Sequence, residues 1–146
     1  MVDALLEAAR RHANDTRYQP GQRAGHYESF FVRANHPARP LAFWIRYTIF
    51  SPTGQPDLAE GELWAVVFDG ETGRHVAVRR AAPLAECDFA RDRLAVRVGA
   101  AALRAGSLSG EVTSRGHTIA WDLTYHGDAP PLFLMPLASY ARPGTA

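Results

Sequence analysis

The sequence predicts an all-β fold, either an antiparallel sandwich or, because closure removes exposed edges, an up-and-down β-barrel, preceded by a short N-terminal helix. Strand-length segments rich in aromatic and β-branched residues follow one another from residue 26 to residue 127. Gly, Pro, Asn or Asp residues separate these segments. The chain of 146 residues fits a single domain with a sizeable core.

The first dozen residues, "MVDALLEAARRH", predict a short helix with Asp3 as its cap. Its apolar side chains fall near one face; they are Leu5, Leu6, Ala9 and Ala13. A helix this short needs something to pack against. The polar stretch "NDTRYQPGQRAG" contains Pro20 and Gly21 and is typical of a linker. We therefore predict a helix and linker over residues 1–24 and a β domain over residues 25–146.

The first half of the β domain predicts a meander of antiparallel strands. Each segment ends at a cluster of turn formers, such as "HPARP" after the first and "DGETG" after the third. The segments are "HYESFFVRAN" (26–35), "LAFWIRYTIF" (41–50), "GELWAVVFD" (61–69) and "RHVAVRR" (74–80).

The second half predicts shorter strands, namely "LAVRVG" (94–99), "AALRAG" (101–106), "SLSGEVTSRG" (107–116) and "HTIAWDLTYHG" (117–127). The dipeptide "RG" is a candidate hairpin turn, and the last strand alternates most clearly, with Ile119, Trp121 and Leu123 on one face. The proline-bracketed "APPLFLMP" (129–136) favours an edge strand or a segment that covers a barrel mouth.

Composition argues against a nucleic-acid-binding protein, because 16 basic and 15 acidic residues are dispersed along the chain and form no basic stripe. The start of the chain has neither a signal peptide nor a membrane span, so we expect a cytoplasmic protein. The single cysteine, Cys87, excludes an internal disulfide. Its neighbours Glu86 and Asp88 should raise the pKa of its thiol, which argues against a nucleophile.

Familiar catalytic and cofactor motifs are missing from the sequence. "GSLSG" (106–110) has Leu108 where a nucleophile elbow needs serine, and there is no G-x-G-x-x-G or P-loop. The six histidines are scattered, and His26 and Glu28 share a strand face without a third ligand. We predict neither a metal site nor a cofactor.

Charged residues inside apolar strands are the candidates for function; they are Glu28, Arg33, Arg46, Glu62 and Asp122. Strand alternation places Trp44 beside Arg46 and Glu62 beside Trp64. If these faces point inward, they form a pocket with apolar walls and a few convergent polar groups. Arg33, Trp44, Arg46, Trp64 and Trp121 would then contact the ligand, while Glu62 and Asp122 would be candidate catalytic acids.

A structural alternative accompanies each of these assignments. Arg46 is alternatively a strand arginine that points outward to solvent or that pairs across the sheet with an acid such as Glu62. The tryptophans are explained as core residues, since large aromatic side chains are mostly buried. Asp122 is either a proton donor with a raised pKa or a solvated strand residue.

Three segments resemble the AttH-like and carotenoid 1,2-hydratase (hydroxyneurosporene synthase) family. They are "YESFFVRANHPARPLAFWIRYTIFSP" (27–52), "GELWAVVFDGETGRHVAVR" (61–79) and "HTIAWDLTYHGDAPPLFLMP" (117–136). The resemblance covers about residues 25–140 and implies a lipocalin-like β-barrel, the N-terminal half of a tandem pair. Some family members add water to a terminal double bond of a long isoprenoid.

The resemblance implies three hypotheses. The leading one is a lipocalin-like domain that binds a hydrophobic small molecule, isoprenoid or carotenoid-like. The second is a hydratase or isomerase in which Glu62 or Asp122 protonates an alkene and the tryptophan faces stabilise the cation. The third is a half-molecule that forms a homodimer in place of a missing second barrel.

Overall fold

The structure, a computed structural model, describes residues 1–145, which form two antiparallel sheets and an N-terminal helix. The helices are α1 (Val2–His12) and α2 (Leu137–Tyr140), and short 3₁₀ turns span Pro56–Leu58 and Leu84–Glu86. The strands are β1 (His26–Asn35), β2 (Leu41–Ser51), β3 (Glu60–Asp69), β4 (Arg74–Pro83), β5 (Cys87–Phe89), β6 (Ala95–Val98), β7 (Ala101–Arg104), β8 (Ser107–Ser114) and β9 (His117–Thr124). The prediction of a mostly β protein with an N-terminal helix is confirmed.

The strands form two meanders, β1-β2-β3-β4 and β5-β6-β7-β8-β9. Among the described residues the two ladders do not join, so the closed barrel of the prediction is replaced by an open sandwich. The break lies where β4 ends at Pro83 and the Leu84–Glu86 turn redirects the chain. Proline cannot donate to a further ladder, and β5 is only three residues long.

The predicted hairpin turn at "RG" is confirmed between β8 and β9. Arg115 has φ 52° and Gly116 has φ 77°, and two consecutive positive φ angles define the two-residue type I′ loop that matches the twist of paired strands. The pairing of Ser114 with His117 follows directly from this loop.

The core lies between the sheets and comes from alternate positions of each strand. Ile45, Tyr47 and Leu63 face it from the first sheet, and Leu103 and Val112 from the second. The Tyr47 hydroxyl spans the interface and donates to the Ala102 carbonyl at 3.1 Å. Burial raises the pKa of Tyr47 to about 12.

Helix α1 confirms the predicted N-terminal helix, but Asp3 is not its cap. The cap position is Met1, without a side-chain hydrogen bond, and Asp3 lies in the first turn. The stretch predicted as a linker packs on the sheets, because Asp15, Thr16 and Tyr18 are all buried.

The segment "APPLFLMP" forms no strand, so the prediction of an edge strand is wrong. Its prolines remove backbone donors, and the amides of Leu134 and Met135 donate to the Tyr140 hydroxyl at 3.2 and 3.0 Å instead. Leu132 and Leu134 are 85% and 82% exposed. Within residues 1–145 no helix has the length and apolar character needed to cross a bilayer.

Candidate functional site

Five of the predicted site residues lie together, but on the outer face of the first sheet rather than in the interior. Strand register puts Arg33 opposite Trp44 and Arg46 opposite Trp64, with Glu62 two positions from Trp64 along β3. The alternate residues, such as Ile45 and Leu63, fill the core. The condition that these faces point inward is therefore not met, and the residues line no interior pocket, although their alternation along each strand was predicted correctly.

We call this surface the outer aromatic face; its aromatic members are Tyr27, Phe31, Trp44, Phe50, Trp64 and Phe68. Arg46 sits near its centre, with its guanidinium carbon 4.8 Å from the Trp44 ring centroid and 5.8 Å from that of Trp64. Its Nη1 donates to the Tyr27 hydroxyl at 2.9 Å. Cation–π attraction and this hydrogen bond replace the expected ion pair with Glu62.

Glu62 pairs with Arg79 on β4, and Glu60 lies 3.7 Å from the same guanidinium. The hydrogen bond to Glu62 raises the pKa of Arg79. Arg79 also lies over Trp64, 5.7 Å from the ring centroid. A carboxylate paired with arginine lacks the apolar enclosure that a proton donor needs.

The remaining predicted residues, Trp121 and Asp122, lie on opposite faces of β9. Trp121 is buried in the core, where its ring packs over Gly110. Asp122 is exposed on the outer face of the second sheet, opposite Ser109. The two candidate acids, Glu62 and Asp122, therefore lie on the outer faces of different sheets and do not converge.

A cavity of about 370 Å³ opens between β2 of the first sheet and β5 of the second, and we call it the end cavity. Most of its wall is apolar. The lining residues are Thr16, Tyr18, Pro20, Ile49, Leu84, Ala85, Cys87, Asp88, Phe89 and Arg91.

Residues 16–20 form one wall of the end cavity because Glu28 of β1 holds this part of the chain. Its carboxylate accepts hydrogen bonds from the amides of Arg17, at 3.0 and 2.9 Å, and of Tyr18, at 3.2 Å. The amide of Thr16 donates to the Ala90 carbonyl at 3.0 Å and so joins this segment to the chain just after β5. Glu28 is thus a structural clamp between the N-terminal segment and the first sheet.

Two polar atoms of the end cavity have no hydrogen-bond partner among the described residues, the Thr16 hydroxyl and the Arg91 Nε, and both are shielded from solvent. Cys87 contributes a partly buried thiol whose pKa is raised mainly by burial, with Glu86 a small additional cause. The direction of this shift agrees with the sequence prediction, while its main cause differs.

The C-terminal segment braces the polar end of the cavity from behind. The Gly144 amide donates to Asp15 Oδ2 at 3.0 Å, and His12 Nδ1 lies 2.8 Å from the same oxygen. A methyl group at Gly144 would overlap the Arg91 carbonyl and lie 2.6 Å from the Thr16 carbonyl. The backbones of Thr16 and Arg91 are therefore adjacent.

Sequence reasoning missed Thr16, Tyr18 and Arg91, because it assigned the first two to a linker and predicted no element around residue 91. Only Tyr18, a lone aromatic residue in a polar stretch, offered a signal of burial. A second, more polar depression of about 550 Å³ includes two of the predicted residues, Arg33 and Trp44. Among the described residues no group of three His, Cys, Asp or Glu side chains is placed to hold a metal ion.

No family model, curated protein or solved structure matches this chain.

Proposed function

We propose that this protein binds a compact hydrophobic small molecule in the end cavity. The observation that carries the proposal is a cavity of about 370 Å³ between the two sheets, walled by Tyr18, Ile49, Leu84 and Phe89. Ligand pockets in proteins typically hold about 300–1,000 Å³ and combine apolar walls with a few polar groups. Thr16 and Arg91 supply such polar groups here.

The resemblance to the AttH-like and carotenoid 1,2-hydratase family supports an isoprenoid ligand. In this proposal the chain is a lipocalin-like domain whose sheets remain open. The cavity volume lies near the lower end of the usual range. It therefore favours a short-chain isoprenoid over a full-length carotenoid.

A neutral fluorescent dye, N-phenyl-1-naphthylamine, tests the proposal. We expect saturable fluorescence enhancement and displacement by citronellol. Ala85→Trp places an indole at the cavity wall and should abolish both signals. Ala120→Trp adds the same side chain at an exposed position of β9 and should leave both unchanged. Equal dye binding by the two variants would contradict the assignment of the site.

Cys87 gives an independent readout because it lines the end cavity and is the single cysteine. Its raised thiol pKa predicts slow alkylation by iodoacetamide at pH 8. Saturating citronellol should slow alkylation further in the native protein and have no effect in urea. An alkylation rate that does not change with citronellol would place the ligand elsewhere.

The hydratase hypothesis requires an acid beside the ligand, and neither Glu62 nor Asp122 lines the end cavity. The test is to replace each acid with its amide and assay the hydration of citronellol-type alkenes. Loss of turnover with retained dye binding would support the hypothesis. Unchanged turnover in both variants would remove it.

Self-association through the outer aromatic face is a second candidate function. Tyr27 and Phe31 are 59% and 56% exposed there. Four strands about 4.8 Å apart and about ten residues long present roughly 650 Å², close to the about 800 Å² per partner of a standard interface. Sedimentation should then detect a dimer that Phe31→Lys dissociates, whereas Ala120→Lys on the second sheet should not.

A further inference from the structure

We infer that the ligand of the end cavity is an amphipathic monocarboxylate, whose apolar chain fills the cavity and whose carboxylate is bound by Arg91 and Thr16. This inference rests on the proposed function and specifies the chemical class of its ligand.

Arg91 differs from Arg46, the other arginine with a shielded guanidinium nitrogen among the described residues. Its Nε is shielded from solvent, and its side chain takes part in no hydrogen bond or ion pair among the described residues. Arg46 also has an unpartnered Nε, but it donates to Tyr27 and stacks on two tryptophans. Arg91 is only partly buried, but its Nε reaches neither solvent nor a protein acceptor, which is costly, so a complementary anion that accepts a hydrogen bond from this atom is favoured.

Thr16 supplies a second donor next to Arg91. The residue is 1% exposed, and its hydroxyl has no partner. Both residues line the end cavity, and their carbonyls flank Gly144 on one side. The guanidinium fork is suited to the two oxygens of a carboxylate, and a hydroxyl adds a third hydrogen bond.

The rest of the cavity decides between classes of anion. Ile49, Leu84 and Phe89 form an apolar wall that requires an apolar chain on the ligand. Asp88 also lines the cavity and is exposed at its rim. Its negative charge repels each negative charge on the ligand, so this repulsion is about twice as large for a dianion as for a monocarboxylate. A monocarboxylate is therefore favoured over a phosphate monoester or a diphosphate.

The test compares three ligands that share one apolar chain: citronellol, citronellic acid and citronellyl phosphate. Their affinities are measured by displacement of N-phenyl-1-naphthylamine at pH 7.5. We expect the carboxylate to bind about 10- to 100-fold more tightly than the alcohol, the gain typical of hydrogen bonds to a charged group. The phosphate should bind more weakly than the carboxylate.

Arg91→Met should remove the preference for the carboxylate while the affinity for the alcohol stays within about twofold. Arg93→Met removes the same charge two residues away, where Arg93 pairs with Asp92 at the surface, and should keep the preference. Thr16→Val should reduce the preference only partly. In the unmodified protein, added NaCl should weaken binding of the acid but not of the alcohol, a comparison that does not depend on a variant folding.

Equal affinities for acid and alcohol in the unmodified protein would overturn the inference and leave the proposed function intact. If Arg91→Met still binds the acid more tightly than the alcohol by the same factor, the inference is likewise overturned and the proposed function stays. Tighter binding of the phosphate would replace the carboxylate by a phosphate ester. If neither the dye nor any of the three ligands binds, the proposed function fails, and the inference fails with it.

Discussion

The outer aromatic face and the end cavity differ in the partners that they provide for their arginine side chains. On the outer face, Arg46 is stacked between two tryptophans and bonded to Tyr27, and Arg79 is paired with Glu62. In the end cavity, the Thr16 hydroxyl and the Arg91 Nε have no partner within the described residues. Arg46 and Glu62, which looked functional in the sequence, each have a partner on the outer face, although the Arg46 Nε and the Trp64 Nε1 have no hydrogen-bond partner within the described residues.

This difference shows why a charged residue inside an apolar strand is ambiguous evidence of function. On a wide sheet, neighbouring strands bring complementary side chains within reach of one another, so the charge finds a partner on the sheet itself. In an irregular segment next to a cavity, no strand neighbour exists to supply one. An unsatisfied donor in such a place points more directly to a ligand.

The largest expected contrast is between a buried wall residue and an exposed face residue. Ile49 lines the end cavity and is fully buried, so Ile49→Ala should lower the free energy of unfolding by about 2–5 kcal/mol. Phe31→Ala on the outer aromatic face should cost less than about 1 kcal/mol. Urea unfolding measures both. Similar losses would mean that the outer face is covered in solution.

The next largest effect is a loss of stability at high pH. It concerns the contact between the two sheets, on which the end cavity depends. The Tyr47 hydroxyl links the sheets and is neutral when protonated, and burial raises its pKa from 10.0 to about 12. Its contribution is therefore complete below pH 10 and falls as the pH rises toward 12, by about 2–3 kcal/mol.

Tyr47→Phe should remove this alkaline loss and cost about 1–2 kcal/mol at neutral pH, because the Ala102 carbonyl loses its donor. Unfolding curves between pH 8 and pH 11.5 check both effects. An equally steep alkaline loss in the variant would assign it to another group.

Gly144→Ala breaks the brace behind the end cavity without touching the outer face. The added methyl group meets two backbone carbonyls, which cannot rotate away, so we expect a loss of about 1–3 kcal/mol and weaker dye binding. Gly127→Ala is the matched control, since nothing lies within 4 Å of a methyl group there. Equal dye affinity in both variants would show that the C-terminal segment does not shape the cavity.

The smallest effect belongs to the outer face. A double-mutant cycle with Arg79→Met and Glu62→Gln should give a coupling energy of about 0.2–1 kcal/mol, reduced by salt, because the pair is partly exposed. A much larger coupling that salt does not screen would indicate that a partner buries this face.

Most of the strand pattern was predictable from local sequence. The first strand was predicted at the bounds that β1 has, because its aromatic residues end at a clear breaker cluster. Strand β5 was missed, since a strand of three residues is too short to show an alternation of apolar and polar side chains. Of the candidate site, Arg33, Trp44, Arg46, Glu62 and Trp64 were correctly grouped on one face, but the direction of that face depends on which side the second sheet covers.

The sequence by itself determined the alternation of the strands, the turn at Arg115 and Gly116, and the position of α1, because these depend on neighbours a few residues apart. Only the tertiary structure decided that the sheets stay open, that Glu28 clamps the N-terminal segment, and that Thr16 and Arg91 meet in one cavity. Those contacts join residues distant in the chain, and no local propensity or period encodes them.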